Sequence, residues 1–371
     1  MSKLDNLGNV LIRSDLNVPI KNGEITDNFR ILKSVEILES ILDKSRTITF
    51  TSHMGRPNGK DLNLSLRPVA ESMSDFLGKE VRFIEEVFGE KVEEQIEKSE
   101  SKIFLLENLR FEKGEIENDK EFSNQITKPF NSYIFDAFGA AHREHASVVS
   151  FGENLESFQG PLMDKEIHEL DRLLNNSESG YAVLLGGAKI SDKLNLIEKL
   201  LPKVEYLMVG GGMCFTLLKA LGYEIGRSLL EESFISKAEE LLHSRFGKKI
   251  ILPIDFGVTD SIDSSVRENV KLDDFKNNHI GVDIGPQTVS NFRKILKKSN
   301  NIFWNGPMGI FEKEAFSYGT KEITEIISNS SAYTCIGGGD SVSAINKFSD
   351  NKNFNHISTG GGASLEYLEG K

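Results

Sequence analysis

The sequence predicts an α/β protein of two domains, each built on a parallel sheet with crossover helices. Three observations carry that prediction. The chain has 371 residues, beyond the size at which one hydrophobic core usually stops growing. Short apolar runs rich in β-branched residues alternate with amphipathic stretches, the pattern of strand–helix–strand units. The runs also divide into two groups around Ser150–Pro161, a gap that carries Gly152, Gly160 and Pro161.

Taken in order, strands are expected at Val10–Ser14, Thr47–Thr51, Val81–Ile84, Lys102–Leu106 and Tyr133–Phe135 in the first half. The second half offers Ala182–Leu185, Tyr206–Val209, Lys249–Leu252, Ile302–Trp304, Tyr333–Ile336 and His356–Ile357. Between them, Ile31, Leu32, Val35, Leu38, Ile41 and Leu42 recur at helical spacing. A helix through Leu77 has Pro68 in its first turn, and Lys189–Leu201 reads as a helix stopped by Pro202. Residues 163–174 read as a helical connector. The domains expected are 1–158 and 159–355, followed by a C-terminal segment, 356–371.

Composition narrows the function. A hydrophobic share of 39% and a charged share of 27% are those of a globular protein. The net charge of −12 argues against nucleic acid or an anionic membrane as partner. An anionic ligand would therefore need local basic pockets. Two cysteines, Cys214 and Cys335, do not make a disulfide framework and suit a reducing compartment. The N-terminus has no apolar signal core and no run approaches a membrane span, so the expected location is the cytoplasm.

Ligands of open parallel sheets bind beyond the carboxyl ends of the strands. In the first half those ends are polar and basic. Asp15 and Asn17 follow the first strand, and His53 and Arg56 follow the second. Glu107, Asn108 and Arg110 follow a later strand, and Asp136 leads into Ala141-His142-Arg143-Glu144-His145. Arg30 opens the first helix. Four arginines and a histidine at one sheet edge suit phosphate and carboxylate oxygens. His142 and His145 lack the further ligands of a metal site and read as structural. Asp15 can position an arginine instead of touching a ligand.

In the second half the strand ends are rich in glycine. They read Gly186-Gly187-Ala188-Lys189, Gly210-Gly211-Gly212, Asn305-Gly306-Pro307-Met308-Gly309, Gly337-Gly338-Gly339-Asp340 and Gly360-Gly361-Gly362. Such loops expose amide donors and leave a smooth slot for a nucleotide and its phosphates. Lys189 and Lys193, four apart, are expected on one face of a helix start, aimed at one anion. Asp340 is a candidate ligand for Mg2+ beside phosphates, and Glu312 for ribose hydroxyls. No Walker sequence and no strand-linked G-x-G-x-x-G is present, which argues against a P-loop enzyme and a dinucleotide-dependent dehydrogenase.

These segments, in this order and over essentially the whole chain, resemble the phosphoglycerate kinase family. The resemblance rests on Arg13-Ser14-Asp15-Leu16-Asn17-Val18-Pro19, residues 52–57, Glu107-Asn108-Leu109-Arg110-Phe111, and 136–147. It continues through 186–193, 210–213, 304–312, 337–341 and 358–366. It implies two Rossmann-like, doubly wound parallel-sheet domains facing a central cleft, and a monomer. The first domain would bind 3-phosphoglycerate or 1,3-bisphosphoglycerate through Asp15, Leu16, Asn17, Arg30, His53, Met54, Gly55, Arg56, Arg110 and Arg143. The second would bind Mg-ADP or Mg-ATP through Gly187, Lys193, Gly211, Asn305, Gly309, Glu312, Gly338, Gly339, Asp340 and Ser341, with Asp340 on the magnesium. Arg30, Lys189, Gly338 and Gly361 would act on the phosphoryl group in flight, after hinge closure. In the family the C-terminal segment returns to the first domain, and this chain stops at Lys371, short of the usual end. Ser14, Leu16 and Phe29 stand where valine, phenylalanine and threonine are common, and Cys214-Phe215 replaces a small and polar pair. The rival expectation is a catalytically idle nucleotide-binding or interaction protein on the same scaffold.

Overall fold

The computed structural model describes residues 6–21, 23–175 and 179–370, which form two compact units divided between Ile167 and His168. In chain order, the strands of the first unit begin with β1 (Gly8–Ser14) and a short hairpin, β2 (Ile20–Lys21) and β3 (Glu24–Ile25). Then come β4 (Ser45–Thr51), β5 (Val81–Ile84), β6 (Ile103–Leu106), β7 (Ser132–Asp136) and β8 (Glu156–Gln159). Six of them form one sheet in the order β5-β6-β4-β1-β7-β8, with every neighbouring pair parallel.

Side chains of a strand alternate between faces. Val10 and Ile12 of β1 therefore join Ile48, Phe50 and Ile134 in one core, while Leu11 joins Phe104 and Tyr133 in another. The helix Arg67–Leu77 buries Val69, Ala70 and Met73 in the first core. The helix Glu90–Lys98 buries Val92 and Ile96 in the second. A sheet covered on both faces favours apolar residues at successive strand positions, which is why Val10-Leu11-Ile12 of β1 and Ile103-Phe104-Leu105-Leu106 of β6 were legible as apolar runs.

The expected gap at 150–161 is not a linker. It holds a helical turn, Phe151–Asn154, and β8, which pairs with β7 from Ser132↔Glu156 to Phe135↔Gln159. Glu156-Ser157-Phe158-Gln159 is a largely exposed edge strand with no apolar run to betray it. The connector helix runs over Pro161–Leu174, with proline in its first turn. Asp136 Oδ1 accepts the N–H groups of Leu162 (2.8 Å) and Met163 (3.1 Å) at its start. The division between the two units falls inside this helix.

The second unit contains β9 (Tyr181–Leu185), β10 (Tyr206–Val209), β11 (Ile250–Ile251), β12 (Asp255–Thr259), β13 (Glu268–Lys271), β14 (Ile280–Ile284), β15 (Asn301–Asn305), β16 (Tyr333–Gly337) and β17 (His356–Ile357). A parallel sheet runs β11-β10-β9-β15-β16-β17. A separate antiparallel sheet, β13-β12-β14, was not expected. Its middle strand, Asp255-Phe256-Gly257-Val258-Thr259, is interrupted by glycine and opened by aspartate, both depleted in strands.

Two further expectations change here. The strand expected at Lys249–Leu252 shrinks to two residues, Ile250–Ile251. The helix expected from Lys189 begins only at Leu194. The residues before it are drawn into an irregular turn, where Glu231 accepts both the N–H (3.1 Å) and the hydroxyl (2.6 Å) of Ser191. At the C-terminal end, β17 adds an edge strand to the second sheet. The helix Gly362–Glu369 packs on the helix Leu194–Leu200, so these residues are counted with the second unit. Among the described residues, no helix is long and apolar enough to cross a membrane.

In each sheet the chain fills one side, then returns to the other side of its first strand. The strand order therefore reverses between β1 and β7 in the first unit, and between β9 and β15 in the second. Such switch points open a crevice at the carboxyl ends of the strands, because the loops leaving them diverge.

Candidate functional site

The first crevice collects the predicted basic residues. Arg30, in the first turn of the helix Phe29–Val35, is pinned from below. Its Nη1 lies 3.0 Å from Asp15 Oδ2 and donates to Asn17 O at 3.1 Å. Asp15 is buried and holds this arginine, the role the sequence left open for it. Asn17 Oδ1 accepts the Gly55 N–H at 3.0 Å, which ties the loop after β1 to the loop after β4. Asn108 clamps the same loop, accepting from Met54 N (3.0 Å) and donating to Met54 O (2.8 Å). Arg110 Nη1 donates to Gly55 O, and its buried Nη2 has no hydrogen-bond partner among the described residues.

Two predicted residues turn away. The side chains of Leu16 and Met54 belong to the hydrophobic core, so only their backbones are left for the crevice. Arg56 is exposed, while Arg143 is half-buried.

The electrostatics of this crevice are those of crowded like charges. Burial first, then Arg13, Arg110, Arg143 and Arg30, hold the His53 imidazole well below its ordinary range. Burial and the neighbouring Arg143 and Arg13 bring the Arg110 guanidinium down to about 10. His145 falls to about 4 through burial and then Arg110, Arg143 and Arg13. Burial is the largest cause of each shift, and the like-charge repulsion that adds to it is the part a bound anion would relieve. The crevice thus favours a small, multiply charged anion. Arg13, which the sequence did not place in the site, is central to it. It is 1% exposed and reaches His53 Nδ1 with Nη2 at 3.0 Å. Only the tertiary packing reveals this, because Arg13 lies within β1 and reads there as a strand residue.

The second crevice is built mainly from backbone. The loops after β9 and β15 are stitched together: Gly186 N donates to Asn305 O (2.9 Å) and Gly187 N to Pro307 O (2.9 Å). A Cβ on Gly186 would sit 2.1 Å from Pro307 O, so only glycine allows this approach. Gly338, at φ +88°, opens the helix Gly339–Phe348, and a Cβ there would meet Asn305 Nδ2 at 2.7 Å. Ser341 is buried and its hydroxyl accepts the Gly306 N–H at 2.7 Å, so its side chain shapes the loop.

Lys193 and Lys189 do not share a helix face. Lys193 is buried beneath the glycine loop, its ammonium on Asn305 Oδ1, while Lys189 is exposed. Burial brings Lys193 down to about 8, opposed by Asp340 and Asp192. Asn305 Nδ2 donates to Gly337 O at 2.8 Å, linking this lysine to the loop that carries Gly338, Gly339 and Asp340.

Beside these loops lies a cavity of about 450 Å3, lined by Gly187, Gly211, Gly309, Glu312 and Asp340 from the predicted set. Its apolar wall was missed. Phe256 of β12, Ile280 and Val282 of β14, and Phe215, Leu229 and Met308 complete it. The signal was available in the alternation of Ile280-Gly281-Val282-Asp283-Ile284, but it was not recognised as a strand. An apolar slot edged by amides and a carboxylate suits a flat heterocycle carrying sugar and phosphates. Gly361 precedes the helix Gly362–Glu369 and does not line this cavity.

Among the described residues no group of three or more histidine, cysteine or carboxylate side chains could hold a metal by itself. Asp340 is a single exposed carboxylate at the amide-rich edge. That donor set fits Mg2+, which keeps waters and shares one or two carboxylates with phosphate oxygens.

The matching family model is that of phosphoglycerate kinase, over residues 4–371. Similar proteins include the phosphoglycerate kinase of Dictyoglomus turgidum, 44% identical over 98% of this chain and 93% of that protein. That of Rubrobacter xylanophilus is 42% identical over the same shares. Among solved structures, phosphoglycerate kinase from Coxiella burnetii superimposes with a TM-score of 0.85 at 37% identity, covering 100% of this chain and 96% of that one. That from Pyrococcus horikoshii OT3 gives 0.88 at 30% identity, covering 100% and 95%.

Proposed function

The chain belongs to the phosphoglycerate kinase family, and from that premise we propose how its two crevices divide the reversible transfer of a phosphoryl group between 1,3-bisphosphoglycerate and ADP. The observation that carries the division is the contrast between the crowded cations of the first crevice and the amide-lined apolar cavity of the second.

In this reading Arg30, His53, Arg56, Arg110 and Arg143 hold the acidic metabolite, and Asp15 and Asn17 fix Arg30 and the loops. The nucleotide base enters the cavity, Glu312 meets the ribose, and the amides near Gly187, Gly338 and Gly339 meet the phosphates. Lys193 leaves Asn305 for those phosphates. A β-phosphate oxygen of ADP attacks the acyl phosphorus in line. The new P–O bond forms as the bond to the carboxyl oxygen breaks, and the carboxylate of 3-phosphoglycerate leaves. Little covalent chemistry is asked of the protein, so alignment and charge stabilisation dominate. Arg30 and the exposed Lys189 stabilise charge on the transferring group. The two bound substrates must come together for this step, which calls for closure on binding. Asp340 would hold Mg2+, which when bound neutralises charge on the nucleotide phosphates.

The test is ATP formation from 1,3-bisphosphoglycerate and ADP in a coupled assay, with Mg2+ varied. Turnover that needs Mg2+, with Asp340→Asn raising the Mg2+ required, supports the assignment. Turnover without added metal would remove Asp340 from it. A cytoplasmic monomer is the accompanying proposal, checked for its mass by light scattering. The idle reading receives no support from the relatives.

A further inference from the structure

We propose that Arg13 is a positioning residue for substrate binding. A buried chain from Glu115 through Ser147 to Arg13 holds His53 as a neutral imidazole with its proton on Nε2. His53 then offers the acidic substrate a hydrogen-bond donor and no charge. The proposal rests on the reading of His53 as a substrate contact.

The contact geometry fixes the protonation. Arg13 Nη2 lies 3.0 Å from His53 Nδ1. A guanidinium has no lone pair to accept with, so Nδ1 must accept, and a neutral imidazole then carries its proton on Nε2. Protonating Nδ1 would set two donors against each other. It would also place another cation among Arg13 of β1, Arg30 of the first helix, Arg110 after β6 and Arg143 after β7, the charges that face the ring.

Arg13 cannot do this by touching a ligand, because it is 1% exposed. It is held instead from the opposite side. Its Nε donates to Ser147 Oγ at 2.9 Å. That hydroxyl has one proton, and it goes to Glu115 Oε1 at 2.7 Å. The Ser147 N–H donates to Glu115 Oε2 at 2.9 Å, and Glu115 is fully buried. Nη1 is occupied by Ser14 O, and Ser52 Oγ is 3.5 Å away. Tyr133 donates its hydroxyl proton to Ser147 O, which fixes the serine backbone. Arg13 donates in both directions, to His53 Nδ1 on one side and to Ser147 Oγ on the other, and the serine donates on to the carboxylate, so each donor has one acceptor and each proton one place.

The consequence is chemical selectivity. An unrestrained histidine changes charge near pH 6.5, and its affinity for an anion changes with it. A locked Nε2–H pairs only with acceptor oxygens of carboxylate, phosphate or hydroxyl, and does so without titrating across that range.

The test begins with 15N-resolved NMR of the His53 ring in the unaltered, ligand-free protein. Nδ1 bare and Nε2 protonated from about pH 8 to about pH 5.5 is the expected result. A proton on Nδ1, or a titration near the ordinary histidine value, overturns the proposal. Adding 3-phosphoglycerate should shift the Nε2–H resonance. If the tautomer is locked but this resonance does not respond, the lock stands as geometry and the substrate role of His53, with the proposal built on it, falls. Kinetics provide the second arm. Ser147→Ala and Arg13→Lys should raise KM for 3-phosphoglycerate about tenfold, the size of one lost hydrogen bond. That KM should become pH-dependent near 6.5, with KM for ADP unchanged. A 3-phosphoglycerate KM that stays low and flat with pH in Ser147→Ala counts against the relay, whether or not Arg13→Lys folds.

Discussion

In the proposed reading, the two switch points meet anions by opposite means. At β1/β7 the donors are side chains: Arg30, His53, Arg110 and Arg143 converge on a crevice whose cations repel one another until a ligand arrives. At β9/β15 the donors are backbone amides, brought close by Gly186 and Gly338, with one lysine stored beneath the loop. A side-chain site stores electrostatic strain. A backbone site stores conformational precision. The first should therefore fail through lost charge, and the second through lost shape.

The largest expected effect is on the first. Arg30→Ala should lower kcat by about 10²–10³, the usual loss for one electrostatic donor aimed at the transition state. KM for ADP should be unchanged in the same coupled assay. Unchanged turnover would remove the distinction, because the pinned arginine would then be only a surface charge. Gly338→Ala tests the second site. A side chain at φ +88°, with its Cβ 2.7 Å from Asn305 Nδ2, should cost about 1–3 kcal/mol in urea unfolding. It should also raise KM for ADP while leaving KM for 3-phosphoglycerate alone. If both constants rise together, the two sites are not separable in this way.

A smaller effect separates the sites by pH. Lys193 is brought down to about 8, so its charge is present below that pH and is lost as pH rises through it. ADP affinity measured by calorimetry should weaken above about pH 8, by up to tenfold per unit. 3-Phosphoglycerate affinity should not follow, since Arg110 keeps its charge to about 10. Parallel pH profiles would contradict the comparison. The smallest effect is a control. Lys128 pairs with Glu93 on the surface at 2.8 and 2.9 Å, and Lys128→Ala should move neither KM.

The legible parts of the molecule share a physical cause. Strands buried on both faces, such as Val10-Leu11-Ile12 and Ala182-Val183-Leu184-Leu185, announce themselves because every position is apolar. Arg30, Arg110, Gly187 and Asp340 were legible because polar or glycine-rich residues directly after such strands are costly there without a ligand or a tight turn. What escaped was whatever depended on residues distant in sequence. The edge strand β8 and the sheet β13-β12-β14 have no continuous apolar run, and with them went the wall formed by Phe256, Ile280 and Val282. Lys189 and Lys193 were given a shared helix face by local spacing, and Glu231, some forty positions on, draws the intervening serine into a turn.

By itself the sequence determined the fold class, the alternation of strands and helices, and the basic and glycine-rich characters of the two crevices. Those properties are local, set by side-chain periodicity and by the few residues that can follow a buried strand. The tertiary structure alone decided that Arg13 faces His53 and not a ligand, and that Leu16 and Met54 turn into the core. It also decided that Lys193 waits on Asn305 while Lys189 stays in water. Protonation state and direction of approach are properties of neighbours, and neighbours more than a hundred residues apart, such as Arg13 and Ser147, meet only when the sheet has closed.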